Sequence, residues 1–136
     1  MSVVEDRITD GRRIAQLLAS ELDGRADGAL ARVAVVNADP EVDPTPGGTR
    51  AYDVAVDGTT VASVDVYPDR ARITMSATVG ADVERAIEDA ETRGLHAERV
   101  SDPNGAAIVV DDGAAVKRAV ATVAAATDAE KSRETG

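Results

Sequence analysis

A chain of 136 residues can build one self-sufficient hydrophobic core, whereas two domains of half that length would each be marginal. The absence of cysteine excludes disulfides, thiolate catalysis, iron–sulfur clusters and thiolate zinc sites. The 25 acidic residues outnumber the 15 basic ones, which gives a net charge of −10, and only Lys117 and Lys131 are lysine.

The acidic charge and the small apolar residues together indicate a high-salt solvent. In molar salt the Debye length is ~3 Å, so a dense acidic surface no longer repels itself. Phe and Trp are missing, Tyr52 and Tyr67 are the only aromatic residues, and Val and Ala dominate the apolar set. Because concentrated salts strengthen apolar burial, such a chain can fold around small side chains. We therefore predict a halophilic protein, with an acidic protein of a high-GC bacterium as the alternative.

The N-terminal third predicts a helix, a strand and a loop. Ser2 and Glu5 have the spacing of a capping box, and apolar residues then recur every three or four positions as far as Leu22. The β-branched run 30–37 predicts a strand, and the proline- and glycine-rich segment 39–48 predicts a loop.

The stretch 50–78 predicts an antiparallel meander with one buried face. A three-residue loop at 56–58 with a G1 bulge would place even-numbered residues of the first two strands opposite each other. A type I turn centred on Pro68 and Asp69 would then place even-numbered residues of the second strand opposite odd-numbered residues of the third. The apolar face would hold Tyr52, Val54, Ala62, Val64, Val66, Ile73 and Met75. The other face would hold Asp53, Ser63, Asp65, Arg72, Thr74 and Ser76, including a cross-strand pair of Asp65 and Arg72.

The remaining chain predicts a helix, a hairpin and a final helix. The second helix spans 82–93 and is stopped by Gly94, and strands at 95–100 and 106–110 form the hairpin. The third helix is capped by Asp111 and Asp112 and buries Val116, Val120 and Val123.

These elements predict one α+β domain over residues 1–127 and a disordered polar tail over 128–136. The order is α-β-β-β-β-α-β-β-α, which builds a largely antiparallel twisted sheet with helices on one face. With one strand removed, this order is similar to that of small acidic dimeric secretion chaperones, an analogy of fold that carries little function.

The run from Val4 to Leu22, VEDRITDGRRIAQLLASEL, resembles the N-termini of small uncharacterised acidic proteins of salt-in haloarchaea. The resemblance covers the first sixth of the chain through sequence and the remainder through composition. It implies a halophilic cytoplasm and no particular activity.

The sequence contains no recognisable catalytic, metal-binding or cofactor-binding motif. His96 is the only histidine, and none of the serines has the Gly-x-Ser-x-Gly context of a nucleophile elbow. The Asp-Gly pairs do not continue into a calcium loop, and Gly47 and Gly48 stand in no phosphate-binding spacing. We therefore predict no catalytic residue, no metal and no cofactor.

Three functional hypotheses remain. The first is a non-enzymatic protein-interaction module that forms a homodimer through an edge strand or the polar sheet face, with interaction residues Ser63, Asp65, Tyr67, Arg72 and Thr74. The second is a small-ligand binder or enzyme with a site between sheet and helices, lined by Tyr52, His96 and the loop 39–48. The third is a single-stranded nucleic-acid binder that uses Arg70, Arg72 and Tyr67.

A sequence with no signal-peptide pattern and no apolar run near the ~20 residues that cross a bilayer predicts a cytoplasmic protein without a membrane partner.

The acidic composition predicts that stability depends on salt. The melting temperature should rise steeply between dilute buffer and molar KCl, because salt screens the repulsion among carboxylates and strengthens apolar burial. A KCl series followed by circular dichroism measures it. A melting temperature that stays flat across the series would contradict the halophilic interpretation.

Overall fold

The computed structural model describes residues 10–24, 33–39, 41–56, 59–76, 83–101 and 104–135. Within these ranges the helices are α1 (Gly11–Gly24), α2 (Val83–Thr92) and α3 (Ala115–Thr135). The strands are β1 (Val33–Val36), β2 (Thr49–Val56), β3 (Thr59–Tyr67), β4 (Arg70–Ser76), β5 (His96–Ser101) and β6 (Asn104–Val110). The predicted α+β order is confirmed.

The strands form one sheet in the order β1-β2-β3-β4-β6-β5, and every neighbouring pair is antiparallel. The first four strands follow the chain. After α2 the chain returns as a hairpin, and its second strand, β6, docks beside β4. The hairpin therefore leaves β5 at one edge of the sheet and β1 at the other.

The core lies between one sheet face and the three helices. Ile73, Met75 and Ile108 are fully buried on the central strands, and Leu18 of α1 and Val120 of α3 are as deeply buried opposite them. The largest fully buried side chains are those of Ile, Leu, Met and Val, so close packing of aliphatic groups supplies most of the apolar burial.

The described helix of the N-terminal region begins at Gly11. Residue 10 is not helical, and Asp10 caps α1 because its Oδ1 accepts a hydrogen bond from the backbone N–H of Arg13 at 3.1 Å. The predicted capping box at Ser2 and Glu5 lies outside the described residues.

In the pairing of β2 and β3, even-numbered residues lie opposite even-numbered ones, as predicted. The loop that was expected to cause this pairing is not the one observed. Tyr52 lies opposite Val64 and Val54 opposite Ala62, as the even-number rule requires. However, Val56 lies opposite Thr59, so two residues and not three connect the strands. The parity is restored because the register shifts at Val61, which has no direct opposite residue.

The other turn and cap predictions are confirmed where the structure describes them. Tyr67 pairs with Arg70 around the Pro68 turn, and Gly94 has the left-handed φ of 81° expected of a helix stop. Asp112 caps α3 through a 2.8 Å hydrogen bond from the N–H of Ala115.

The third helix runs further than the polar composition suggests. Its backbone is helical from Ala115 to Thr135, and the boundary expected between the domain and a polar tail at residue 128 stays a prediction. Ala, Glu, Lys and Arg are strong helix formers, so a polar segment of these residues can continue a helix without packing.

The one-sided burial predicts different costs for two neighbouring substitutions. Ile73 is fully buried, whereas Thr74 is half-buried on the opposite face. Ile73→Ala should lower the free energy of unfolding by about 2–5 kcal/mol, and Thr74→Ala should change it by less than about 0.5 kcal/mol. Denaturant unfolding measures both. Equal losses at the two positions would show that burial is not one-sided.

Gly11 packs the start of α1 directly against the turn between β3 and β4. Its N–H donates to the carbonyl oxygen of Pro68 at 3.2 Å. A Cβ added to Gly11 would lie 1.8 Å from the carbonyl oxygen of Tyr67 and 2.4 Å from that of Arg70. Because both obstacles are backbone atoms, no side-chain movement can relieve the overlap.

Gly11→Ala should therefore destabilise the fold by about 1–3 kcal/mol or more, even though alanine is the better helix former. The matched control is Gly47→Ala, since a Cβ at Gly47 has no neighbour within 4 Å, and it should change stability by less than about 0.5 kcal/mol. Thermal melts of the two variants in the same buffer measure the difference in stability. A Gly11→Ala protein as stable as the control would contradict this packing.

Candidate interaction face

We call the sheet face turned away from the helices the open face. Because side chains alternate along each strand, the register arranges its residues in rows that cross the strands. From β1 to β5, the first row is Val36, Asp53, Ser63, Thr74, Ala107 and Glu98. From β2 to β5, the second row is Arg50, Asp65, Arg72, Val109 and His96.

A bulge brings Arg50 to this face. Arg50 is even-numbered, so simple alternation from Tyr52 and Val54 would point it into the core. The register shift between Arg50 and Tyr52 instead places Arg50 opposite Asp65 on the open face. The proposed interaction residues of the sequence did not include Arg50, because a bulge at Ala51 has no clear sequence signal.

Arg50 and Asp53 form the main ion pair of the open face. The Nη1 of Arg50 lies 2.8 Å from Oδ1 of Asp53, and its Nε lies 3.4 Å from Oδ1 of Asp65. The side chains of Arg50, Asp53 and Asp65 are 57%, 15% and 28% exposed. Asp65 therefore has Arg50 on its β2 side and, by register, Arg72 on its β4 side.

Asn37 completes the contacts of Asp53. Its φ of 57° is left-handed, a conformation that asparagine tolerates, and it ends β1. Its Nδ2 donates to Oδ2 of Asp53 at 2.9 Å. Each carboxylate oxygen of Asp53 thus accepts one hydrogen bond from its own chain.

The centre of the open face is flat and polar. Ser63, Asp65, Arg72 and Thr74 form a contiguous block on β3 and β4, where the sequence analysis placed an interaction surface. They are half-buried and not fully exposed, because neighbouring strands flank them on both sides. Ala107 continues the first row and is fully buried beneath these larger neighbours.

Tyr67 lies at one end of the open face and is largely covered. The guanidinium of Arg70 stacks 4.1 Å from its ring centroid, and only 7% of Tyr67 is exposed. A Cβ on Gly48 would come within 2.7 Å of the Tyr67 Cζ, so the loop also presses on the ring. Base stacking needs an accessible aromatic face, which Tyr67 does not offer in this arrangement.

The structure does not bring Tyr52 and His96 together. Tyr52 lies on β2 and faces the helices, where its hydroxyl donates to the carbonyl oxygen of Ala15 at 2.8 Å and burial raises its pKa. His96 lies on β5, four strands away, with a side chain that is 69% exposed and an Nε2 3.4 Å from Oε1 of Glu98. No single pocket can include both side chains.

A small cavity of about 120 Å³ does lie beside Tyr52, between α1 and the loop that follows β1. Its other lining residues are Arg12, Ala15, Gln16, Ala19, Ala38, Asp39, Val42 and Ala51. Pockets that bury small-molecule ligands usually measure about 300–1,000 Å³. This cavity could hold only a few atoms.

The chain as a whole matches one known family over residues 3–136. It belongs to a family of unknown function (DUF7993). Neither the curated proteins nor the solved structures contain a match. These comparisons assign no activity to the chain.

The described ranges bear on two kinds of site, a membrane-spanning helix and a metal site. None of the helices there is long and apolar enough to cross a membrane. In the same part of the chain, no three or more His, Asp or Glu side chains are grouped to hold a metal ion.

Asp89 has a shifted pKa, and its contacts are structural. Desolvation raises the pKa of Asp89, but hydrogen bonds from Arg93 and Thr122 and the charges of Arg93 and Arg85 outweigh it, so the net pKa is lowered. The hydroxyl of the buried Thr122 donates to Oδ1 of Asp89 at 2.7 Å, and Nη1 of Arg118 donates to the carbonyl oxygen of Arg93 at 3.1 Å. These bonds join α2 to α3.

The other acidic residues of α2 face solvent. Glu84, Glu88 and Glu91 are exposed, as expected of a hydrated acidic helix surface. Paired carboxylates in general acid–base catalysis need environments that push their pKa values apart. Side chains on an exposed helix face share one environment.

Proposed function

We propose that this protein is a protein-interaction module of a halophilic cytoplasm and that it forms a homodimer through the open face. The observation that carries this proposal is the pattern of the face, in which arginines and carboxylates alternate around small polar side chains. Such a surface is complementary to itself.

The charge of the open face supports this location. The chain carries a net charge of −10, so two copies repel each other across most of their surfaces. On the open face, Arg50 and Arg72 stand among Asp53, Asp65 and Glu98, and the charges nearly balance. Two copies therefore meet there with less repulsion, and molar salt screens the acidic remainder.

The size of the open face also fits a dimer. Six strands at ~4.8 Å spacing span roughly 29 Å, and strands of about seven residues are about 23 Å long, which gives an area on the order of 650 Å². Two such faces bury about 1,300 Å², within the range of stable protein interfaces. A thin core of Val and Ala gains further burial from association.

The small-ligand hypothesis keeps one observation in its favour, the cavity beside Tyr52. The Tyr52 hydroxyl already donates to the Ala15 carbonyl oxygen, so it acts as a link between β2 and α1. The cavity thus has the size and the contacts of a packing gap, and it stands second to the interaction face.

Light scattering in molar KCl at about 100 μM tests the proposal. The wild-type mass should be twice 14.0 kDa. Thr74→Arg, which adds a bulky charge at the centre of the open face, should give a folded monomer because like charges then meet in the interface. The matched control Glu88→Arg adds an arginine on the exposed face of α2 and should remain dimeric.

Circular dichroism of each variant separates loss of association from loss of folding. A wild-type protein that is strictly monomeric under these conditions would contradict self-association and would direct attention to the Tyr52 cavity. A dimer that survives Thr74→Arg would contradict the open face as the interface.

A further inference from the structure

We infer that the second copy docks on the open face about a two-fold axis that runs across the strands, between the first and second rows. This inference rests on the proposed self-association and specifies its geometry. A rotation about that axis lays each strand antiparallel over the same strand of the second copy. It also exchanges the two rows, so each first-row residue other than Val36 of β1 faces a second-row residue of its own strand.

Every opposed pair in this arrangement is chemically compatible. On β2, Arg50 faces Asp53 of the second copy, and on β5, His96 faces Glu98 of the second copy. Each of these pairs joins a nitrogen donor to a carboxylate.

The three central strands follow the same rule. On β3, Asp65 faces a Ser63 hydroxyl that can donate to it, and on β4, Arg72 faces a Thr74 hydroxyl that can accept from it. On β6, Val109 lies over Ala107, which its larger neighbours cover. Charged side chains thus meet polar partners on four of the five strands, and β6 opposes no charge.

The key ion pair has hydrogen-bonding capacity left for a second copy. A carboxylate has about four lone-pair positions, and each oxygen of Asp53 accepts one bond from its own chain. Arg50 has five N–H donors and is 57% exposed. It can therefore hold its own Asp53 and reach the second copy's Asp53 at once.

The alternative axis runs along the strands between β3 and β4, and it is less favourable. It would place Asp65 over Arg72 and Ser63 over Thr74, which are good contacts. It would also place Arg50 over Val109, Asp53 over Ala107 and Glu98 over Val36. Charges that lose water against apolar partners are costly, which favours the axis across the strands.

The two axes place β5 differently, and the cysteine-free chain makes this measurable. If the axis runs across the strands, β5 of one chain lies over β5 of the other, so two Glu98→Cys chains should be linked by a short bis-maleimide. If the axis runs along the strands, β5 of one chain lies over β1 of the other, and the strand spacing puts the two β5 strands about 24 Å apart. In that case only a mixture of Val36→Cys and Glu98→Cys chains should be linked. Lys117→Cys on the exposed side of α3 is the unlinked control.

Charge exchange gives an independent test. Arg50→Glu and Asp53→Arg should each raise the dimer Kd by about ten-fold or more, because like charges then face each other across the axis. The double variant restores opposite charges in both copies and should recover the wild-type Kd to within about three-fold. Sedimentation equilibrium in molar KCl measures these Kd values. In the cross-linking test, light scattering first shows that each cysteine variant remains dimeric.

Linked Glu98→Cys dimers together with rescue by the double variant would support the inference. A dimer that is linked only in the Val36→Cys and Glu98→Cys mixture, or a double variant as weak as the single ones, would overturn it and leave the self-association proposal standing. A monomeric wild-type protein would overturn both.

Discussion

The fully buried large side chains of this protein lie between the three helices and a single face of the sheet, and this one-sided burial determines where the other features can be. Ile14 and Leu18 of α1 and Val64 and Ile73 of the sheet are fully buried members of that layer. Since strand residues alternate between faces, each apolar position on one side commits its neighbour to the other. The polar open face is therefore a direct consequence of the core.

Several polar groups that could have suggested chemistry instead hold the helices on the sheet. Tyr52 links β2 to α1 through the carbonyl oxygen of Ala15, and Asp89 joins α2 to Thr122 of α3. Gly11 has the same role without a side chain, because only a glycine lets α1 approach the turn at Pro68 so closely. A core built mainly from Val and Ala has few large contacts, so these links have more influence on the positions of the helices.

The open face combines two properties that set it apart from the acidic remainder of the chain. Its charges nearly balance, and its central side chains are small enough for a second flat surface to approach. The charge balance depends on Arg50, because it neutralises Asp53 and Asp65 while extending into solvent. Electrostatic complementarity of this kind sets the register of an interface more than its affinity.

The sequence by itself determined the element order, the parity of the meander and the buried set around Val64, Ile73 and Met75, because strand alternation and turn chemistry are local properties. It also located Ser63, Asp65, Arg72 and Thr74 on one face. The tertiary structure alone decided the strand order, with β6 between β4 and β5, since pairing between distant segments leaves no local pattern. The tertiary structure also decided where the bulges lie. The bulge at Ala51 turns Arg50 outward, and the bulge at Val61 keeps even-numbered residues of β2 opposite even-numbered residues of β3. Tyr52 and His96 are separated by the sheet for the same reason: the face and strand on which a residue lies depend on long-range pairing, which no spacing along the chain records.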